Sequence, residues 1–264
     1  VLTVLCISPA SAAEVQCTEG ETITLAAEDS FFPYSGLHNG KQRGFSFDIV
    51  RAAYAAVGCQ LNLLYVPYNR CMEKVENGTF LGCFNTTNSY ENSRKYILHN
   101  KPLLYGKILI YARKGHPKEF DQSSYHNARF AVVRGYTYTD EFDQDEKIKK
   151  VFVDSDLQTL AMVARGRADY ALVYEKVAKY QMADHRELIK QLPEPVSLHA
   201  TYGLYVSFSR ALGEKAERAA KLLDTGLSHI TVNGTYEDIE KAWTRWLDTG
   251  LADGDQPPLY QVGG

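Results

Sequence analysis

Past its opening residues, this sequence of 264 residues has no run approaching the roughly 20 consecutive apolar residues of a membrane span. It also lacks a surplus of positive charge. Its 29 Lys and Arg stand against 32 Asp and Glu, and a net charge of −3 leaves no electrostatic footprint for nucleic acid or an anionic membrane. The signatures of common enzymes are missing too. There is no P-loop, G-x-G-x-x-G or H-E-x-x-H, and "GFSFD" at 44–48 fails G-x-S-x-G at its last position. The seven histidines are scattered without metal-ligand spacing, so neither a metal site nor a cofactor is expected. No low-complexity linker or short-period repeat interrupts the chain. These absences lower the expectation of catalysis without excluding it.

The composition, 45% hydrophobic and 23% charged, is that of an ordinary globular chain long enough for two lobes. "VLTVLCISPASAA" (1–13) resembles the later part of a secretory signal, with Ala10 and Ala12, or Ser11 and Ala13, set for cleavage. The alternative is a buried first strand. On the signal reading the mature protein is soluble and exported, and Cys6 is lost. Cys17, Cys59, Cys71 and Cys83 then remain, an even number in an oxidising compartment, with three pairings possible. A strand–helix–strand order places Cys17 and Cys59 ahead of two neighbouring parallel strands and favours Cys17–Cys59, with Cys71–Cys83 as the second bond. Free buried thiols are the other option. The sequons at Asn77, Asn85 and Asn233 would matter in a eukaryotic secreted protein and would be chance matches in a bacterial one, the reading favoured here.

Periodicity gives a strand at 22–28, a turn-rich stretch to Gly44, and a helix on Phe47, Val50, Tyr54 and Val57 ending at Gly58. A strand "QLNLLYV", a short helix near 69–76 and a strand at about 79–85 follow, with another strand at 107–113. This βαβαβ run predicts a parallel sheet with right-handed crossovers. The pattern then restarts: strand 129–134, helix 138–149, strand 151–153, a helix opened by a Ser155/Gln158 capping box, and strand 168–174. A long strand spans 196–209, and two amphipathic helices close the fold. The Pro/Gly-rich tail after Trp246 is expected to be loosely ordered. The restart predicts an α/β protein of two interwoven lobes with a hinge, lobe 1 being 14–110 plus 197–250 and lobe 2 111–196, followed by a tail at 251–264.

Polar and aromatic residues recur just past strand ends, where open α/β sheets bind ligands. Glu28, Phe31 and Tyr34 follow the first strand; Tyr68 and Arg70 follow the second; Asn85, Thr86 and then Arg94 follow the third. Gly135, Tyr136, Thr137 and Tyr138 follow the strand in "VVRGYTYTDEF", and Tyr174 and Glu175 follow "ADYALV". Thr137 with Asp140 reads as a helix cap, a place whose free N–H groups favour an anion.

"FFPYSGLHNGKQRGFSFDIVRAAYAAVG", "VPYNRCMEKVENG", "SRKYILHNKPLLY", "LQTLAMVARGRADYALVYEKVA" and "HITVNGTYEDIEKAW" together resemble the bacterial extracellular solute-binding proteins, family 3. The resemblance spans about residues 22–247 and implies a type II periplasmic-binding-protein fold that captures a small polar ligand, amino-acid-like or a carboxylate, between its lobes. It implies a monomer that delivers this ligand to an ABC transporter permease. In that pattern Phe31 and Tyr34 line the ligand, Glu28 is an acidic contact, Arg94 grips a carboxylate, and Gly135 and Thr137 complete the carboxylate site. The chain departs from the pattern at Tyr174, which stands beside Glu175 where an acidic residue normally holds an α-ammonium. Arg70 is a second departure, a cation near the cleft. Tyr34, Tyr68, Tyr136, Tyr138 and Tyr174 suit a flat ligand or a caged cation. A sensor module for a membrane receptor is one alternative. A cyclohexadienyl-dehydratase-like enzyme is the other, with Glu175 or Glu28 as general acid.

Overall fold

The computed structural model describes residues 15–115, 120–187 and 191–261. The signal-like segment and Cys6 lie outside the described residues.

The strands are β1 (Thr22–Glu28), β2 (Ser30–Phe31), β3 (Ser35–His38), β4 (Lys41–Arg43), β5 (Gln60–Val66), β6 (Gly82–Thr87) and β7 (Tyr96–Leu98). After them come β8 (Leu104–Ala112), β9 (Arg129–Val133), β10 (Lys149–Val153), β11 (Tyr170–Tyr174) and β12 (Glu194–Ser209). One sheet runs β10-β9-β11-β8-β12-β6-β1-β5, and β7 pairs with β12. The helices are α1 (Phe45–Ala56), α2 (Tyr68–Glu76), α3 (Tyr90–Lys95), α4 (Ser124–Asn127), α5 (Asp140–Gln144), α6 (Asp156–Ala164), α7 (Glu175–Asp184), α8 (Glu214–Val232) and α9 (Thr235–Arg245).

The order explains two lobes. β1 pairs in parallel with β5 along its full length, and the crossover between them is α1, whose apolar positions Phe47, Val50 and Tyr54 are buried as their spacing requires. β9, β10 and β11 form the other end of the sheet. Only β8 and β12 run between these ends. β8 pairs with β11 through Ile108–Ala112, while β12 pairs with β6 and β7 through its final residues, Leu204–Ser209. The two long strands pair with each other, antiparallel, from Glu194 opposite Ala112 to Leu204 opposite Leu104.

The cysteines follow from this register. Because β1 and β5 are parallel neighbours, the residues preceding them meet, and Cys17 is bonded to Cys59 at a Cα separation of 5.3 Å. Cys71 in α2 is bonded to Cys83 in β6, at 6.0 Å.

Three sequence expectations change. The turn-rich stretch 29–44 carries the small antiparallel sheet β2-β3-β4, because its strands are too short to leave a period-2 signal. The helix expected over 138–149 shrinks to α5, capped by Thr139 and not Thr137, and the chain from Lys149 joins the sheet as β10. The tail is moored. The Trp246 indole donates to Asp255 O, and the Tyr260 N–H donates to the buried carboxylate of Asp48, which also accepts from the Trp243 indole.

Candidate functional site

Each side chain of the site is placed by the end of a strand. Glu28 is the last residue of β1, and its own carbonyl accepts from the Ser35 hydroxyl, which fixes the turn beyond it. Phe31 and Tyr34 leave that turn and stack at 5.0 Å. From the other end of the sheet, Tyr174 closes β11 and meets Phe31 edge-on at 5.1 Å and Tyr34 at 6.1 Å. Room for its ring comes from β8. A Cβ at Gly106 would stand 2.7 Å from the Tyr174 ring, so any larger residue would push that ring aside.

Tyr136 crosses the cleft. Gly135 turns the chain after β9 at φ 83°, a left-handed conformation natural to glycine. The next ring then packs edge-on to Phe31 at 5.9 Å and to Tyr68, the first residue of α2, at 5.3 Å. Its hydroxyl lies 2.8 Å and 2.9 Å from the two carboxylate oxygens of Glu28 and 3.3 Å from Asp156 Oδ2. Tyr138 sits beside it at 6.4 Å, its hydroxyl accepting from the Val133 N–H.

Asp156 was not anticipated from the sequence. It is the first residue of α6, after the capping Ser155, and is 1% exposed, against 3% for Glu28. The strand-end rule, applied to β10 as it was to the other strands, points straight to it. Burial pushes the Glu28 carboxyl up to about 8, the negative charge of Asp156 adds to this, and the Tyr136 hydrogen bond opposes it. Burial likewise raises Asp156 to about 7. Asp156 Oδ1 is buried with no hydrogen-bond partner.

Of the remaining anticipated residues, Gly135 and Thr137 line a groove with Tyr136, and the others stand apart from the cluster. Asn85 is buried inside the first lobe, where it accepts from the Ser46 hydroxyl and donates to that of Ser35. Arg94 is exposed, with its guanidinium over the Tyr90 ring at 5.6 Å. Arg70 is exposed and makes no ion pair with the described residues, and Glu175 is exposed at the start of α7. Thr137 is half-buried and Gly135 exposed. The anion preference expected after β9 loses its basis, because α5 has only five residues and opens on Asp140, Glu141 and Asp143.

A groove of about 420 Å³ opens beside the cluster, lined by Thr137, Tyr138, Tyr90, Glu91, Asp140 and Lys150 among others. A larger one of about 570 Å³ lies on the second lobe, around Phe120, Tyr125 and His199, and touches none of the strand-end residues. The smaller groove shares Tyr136 and Tyr138 with the cluster. Among the described residues no cluster of metal-binding side chains occurs.

The chain matches the bacterial extracellular solute-binding proteins, family 3, over residues 23–245. No curated protein matches it in sequence. Among solved structures it is similar to a histidine kinase sensor domain with similarity to periplasmic binding proteins, at 21% identity and TM-score 0.75, covering 85% of this chain and 96% of that one. An ancestral arginine-binding protein bound to arginine gives 16% identity and TM-score 0.71, over 86% and 99% of the two chains. An ancestral amino acid-binding protein, a precursor of cyclohexadienyl dehydratase, gives 19% and 0.68, over 84% and 95%. At these identities the likeness establishes the two-lobed periplasmic-binding-protein fold.

Proposed function

Because the chain belongs to the bacterial extracellular solute-binding proteins, family 3, we propose that it is a non-catalytic capture protein for a small, amino-acid-like solute carrying a cationic group. The lobes are 14–110 plus 197–250 and 111–196, hinged on β8 and β12, and they close on the solute as a monomer in the periplasm. One observation carries this reading. Glu28 of the first lobe and Asp156 of the second share the Tyr136 hydroxyl, and neither is paired with a cationic side chain among the described residues. A buried carboxylate pair is costly until positive charge is supplied. The rings of Phe31, Tyr34, Tyr68, Tyr138 and Tyr174 around it suit a caged cation. Arg94, exposed over the Tyr90 ring, takes the solute's carboxylate in this reading, with Arg70 as the rival.

Delivery is to a membrane permease. A receptor is the second reading, supported by the likeness to a kinase sensor domain. For the dehydratase-like alternative Glu175 is exposed, and Glu28, buried with its carboxyl pushed up to about 8, is the candidate general acid that remains. Thermal shift against amino acids, amines, guanidino compounds and simple carboxylates tests the proposal, since a ligand of the native state raises Tm. Cationic solutes should raise it. A shift confined to carboxylates lacking a cation would reject the reading, and turnover of prephenate or arogenate would reject its non-catalytic part.

A further inference from the structure

We propose that the Glu28–Tyr136–Asp156 cluster exchanges a proton for the ligand's cation: an ammonium or guanidinium group enters between the two carboxyl groups, and the proton they share leaves to solvent. This rests on the reading of the cleft as a site for a cationic solute, and adds to it what the site holds beforehand and gives up on binding.

The geometry requires something positive there. Three carboxylate oxygens from two side chains lie within hydrogen-bond distance of one hydroxyl, at 2.8, 2.9 and 3.3 Å. A tyrosine hydroxyl has a single hydrogen, so it cannot satisfy both carboxylates at once. The Ser30 hydroxyl, 3.4 Å from Glu28 Oε1, is the only other side-chain donor to either among the described residues, and Asp156 Oδ1 has none. The titratable groups that face the pair are Asp29, on the same turn as Glu28, and Tyr68, Tyr138 and Tyr174 from α2, the loop after β9 and the end of β11. None of them supplies positive charge. A proton kept by the pair converts one carboxylate into a donor that can return a hydrogen bond to Tyr136 or to its partner.

Burial of both groups, with the charge of Asp156 also acting on Glu28, holds that proton near neutral pH, where Glu28 is raised to about 8 and Asp156 to about 7. A ligand cation carries the same single charge and satisfies both carboxylates with several N–H donors. The balance is therefore one cation in, one proton out, with the charge of the cleft unchanged. It follows that affinity for such a ligand rises with pH, by up to about tenfold per unit while the proton is being displaced.

Calorimetric titration of L-arginine, and of agmatine, which lacks the carboxylate, measures this directly. At neutral pH in phosphate, HEPES and Tris, the apparent enthalpy should vary with buffer ionisation enthalpy by the slope for about one released proton. In the free protein, carbon-13 carboxyl NMR should show a coupled pair titrating near neutrality, moving to lower pH when either probe is added. Asp156→Asn and Glu28→Gln, both nearly isosteric, should each weaken binding at least tenfold, lower the number of protons released and flatten the pH dependence. Binding with no proton release would overturn the exchange and leave cation capture standing. Proton release unchanged in both variants would place the proton elsewhere and overturn the proposal. Failure of both probes to bind would overturn the capture of a cation and the exchange with it.

Discussion

Gly135 and Asn69 meet across the cleft with no space for a methyl group between them. Gly135 stands at φ 83° just after β9, and a Cβ built there would collide with the Asn69 side-chain oxygen at the start of α2. The two lobes therefore come together at a point where one side is bare backbone. Gly135→Ala must turn the flexible Asn69 side chain aside and should weaken closure, seen as slightly less compaction than in the wild type in small-angle scattering with saturating ligand. The left-handed conformation alone costs Ala about 1–2 kcal/mol. Asn69→Ala in the same chain removes the collision and should restore closure without recovering that cost. A cycle in which the second substitution restores nothing would mean the contact does not limit closure.

Arg94 and Arg70 give a second test. A hydrogen bond to a charged group contributes about 1.5–3 kcal/mol, so Arg94→Ala should weaken binding of a carboxylate-bearing ligand by roughly 10- to 150-fold. The loss should shrink for the amidated analogue, and Thr137→Val should cost less. If Arg70→Ala abolishes binding while Arg94→Ala leaves it intact, the ligand's anion sits beside α2.

Stability should depend on pH in an unusual sense. The carboxyl of Glu28 is raised from 4.5 to about 8 in the folded protein, so between these values the folded state binds more protons than the unfolded chain. Stability is accordingly complete below the lower value and falls as pH rises through the window, by an amount on the order of a few kcal/mol. Urea unfolding at about pH 5 and about pH 8 should show the decline, and Glu28→Gln should flatten it. A wild-type midpoint that rises over the same window would refute the assignment.

The disulfides should carry a measurable share of stability. They close segments of 42 and 12 residues, for which loop-closure entropy gives about 3–4 kcal/mol each. Non-reducing peptide mapping should recover Cys17–Cys59 and Cys71–Cys83, and reduction should lower Tm. A Cys17–Cys71 peptide would contradict the parallel pairing of β1 with β5.

Much of the fold was legible because its strands are separated by helices with clear periodicity. "QLNLLYV" is β5 residue for residue, and the late helices lie where their apolar spacing puts them. The extra length expected of α5 was not legible as an error, since "DEFDQDEKIKK" is helix-forming composition and only pairing with β9 adds Lys149 and Lys150 to the strand expected at 151–153. The strand-end rule found Glu28, Phe31, Tyr34, Tyr68, Tyr136 and Tyr174, which the structure gathers into one cluster. It gave no weight to Asp156, because the end of β10 was read only as the start of a helix capped by Ser155, and it had no means of knowing that Asn85 would turn inward toward Ser35 and Ser46.

The mooring of Tyr260 on Asp48 has a mechanical consequence. Asp48 belongs to α1, and the first described residues are bonded to the same lobe through Cys17–Cys59. Both ends of the described residues are thus tied to the part of the fold that carries β1, β5 and α1, while β9, β10 and β11 join it through β8 and β12. Whatever is fastened at either end, whether a surface, a bead or a dye, travels with the first lobe. A second dye on exposed Lys147 would then swing against that fixed frame, so the distance between the two reads closure directly.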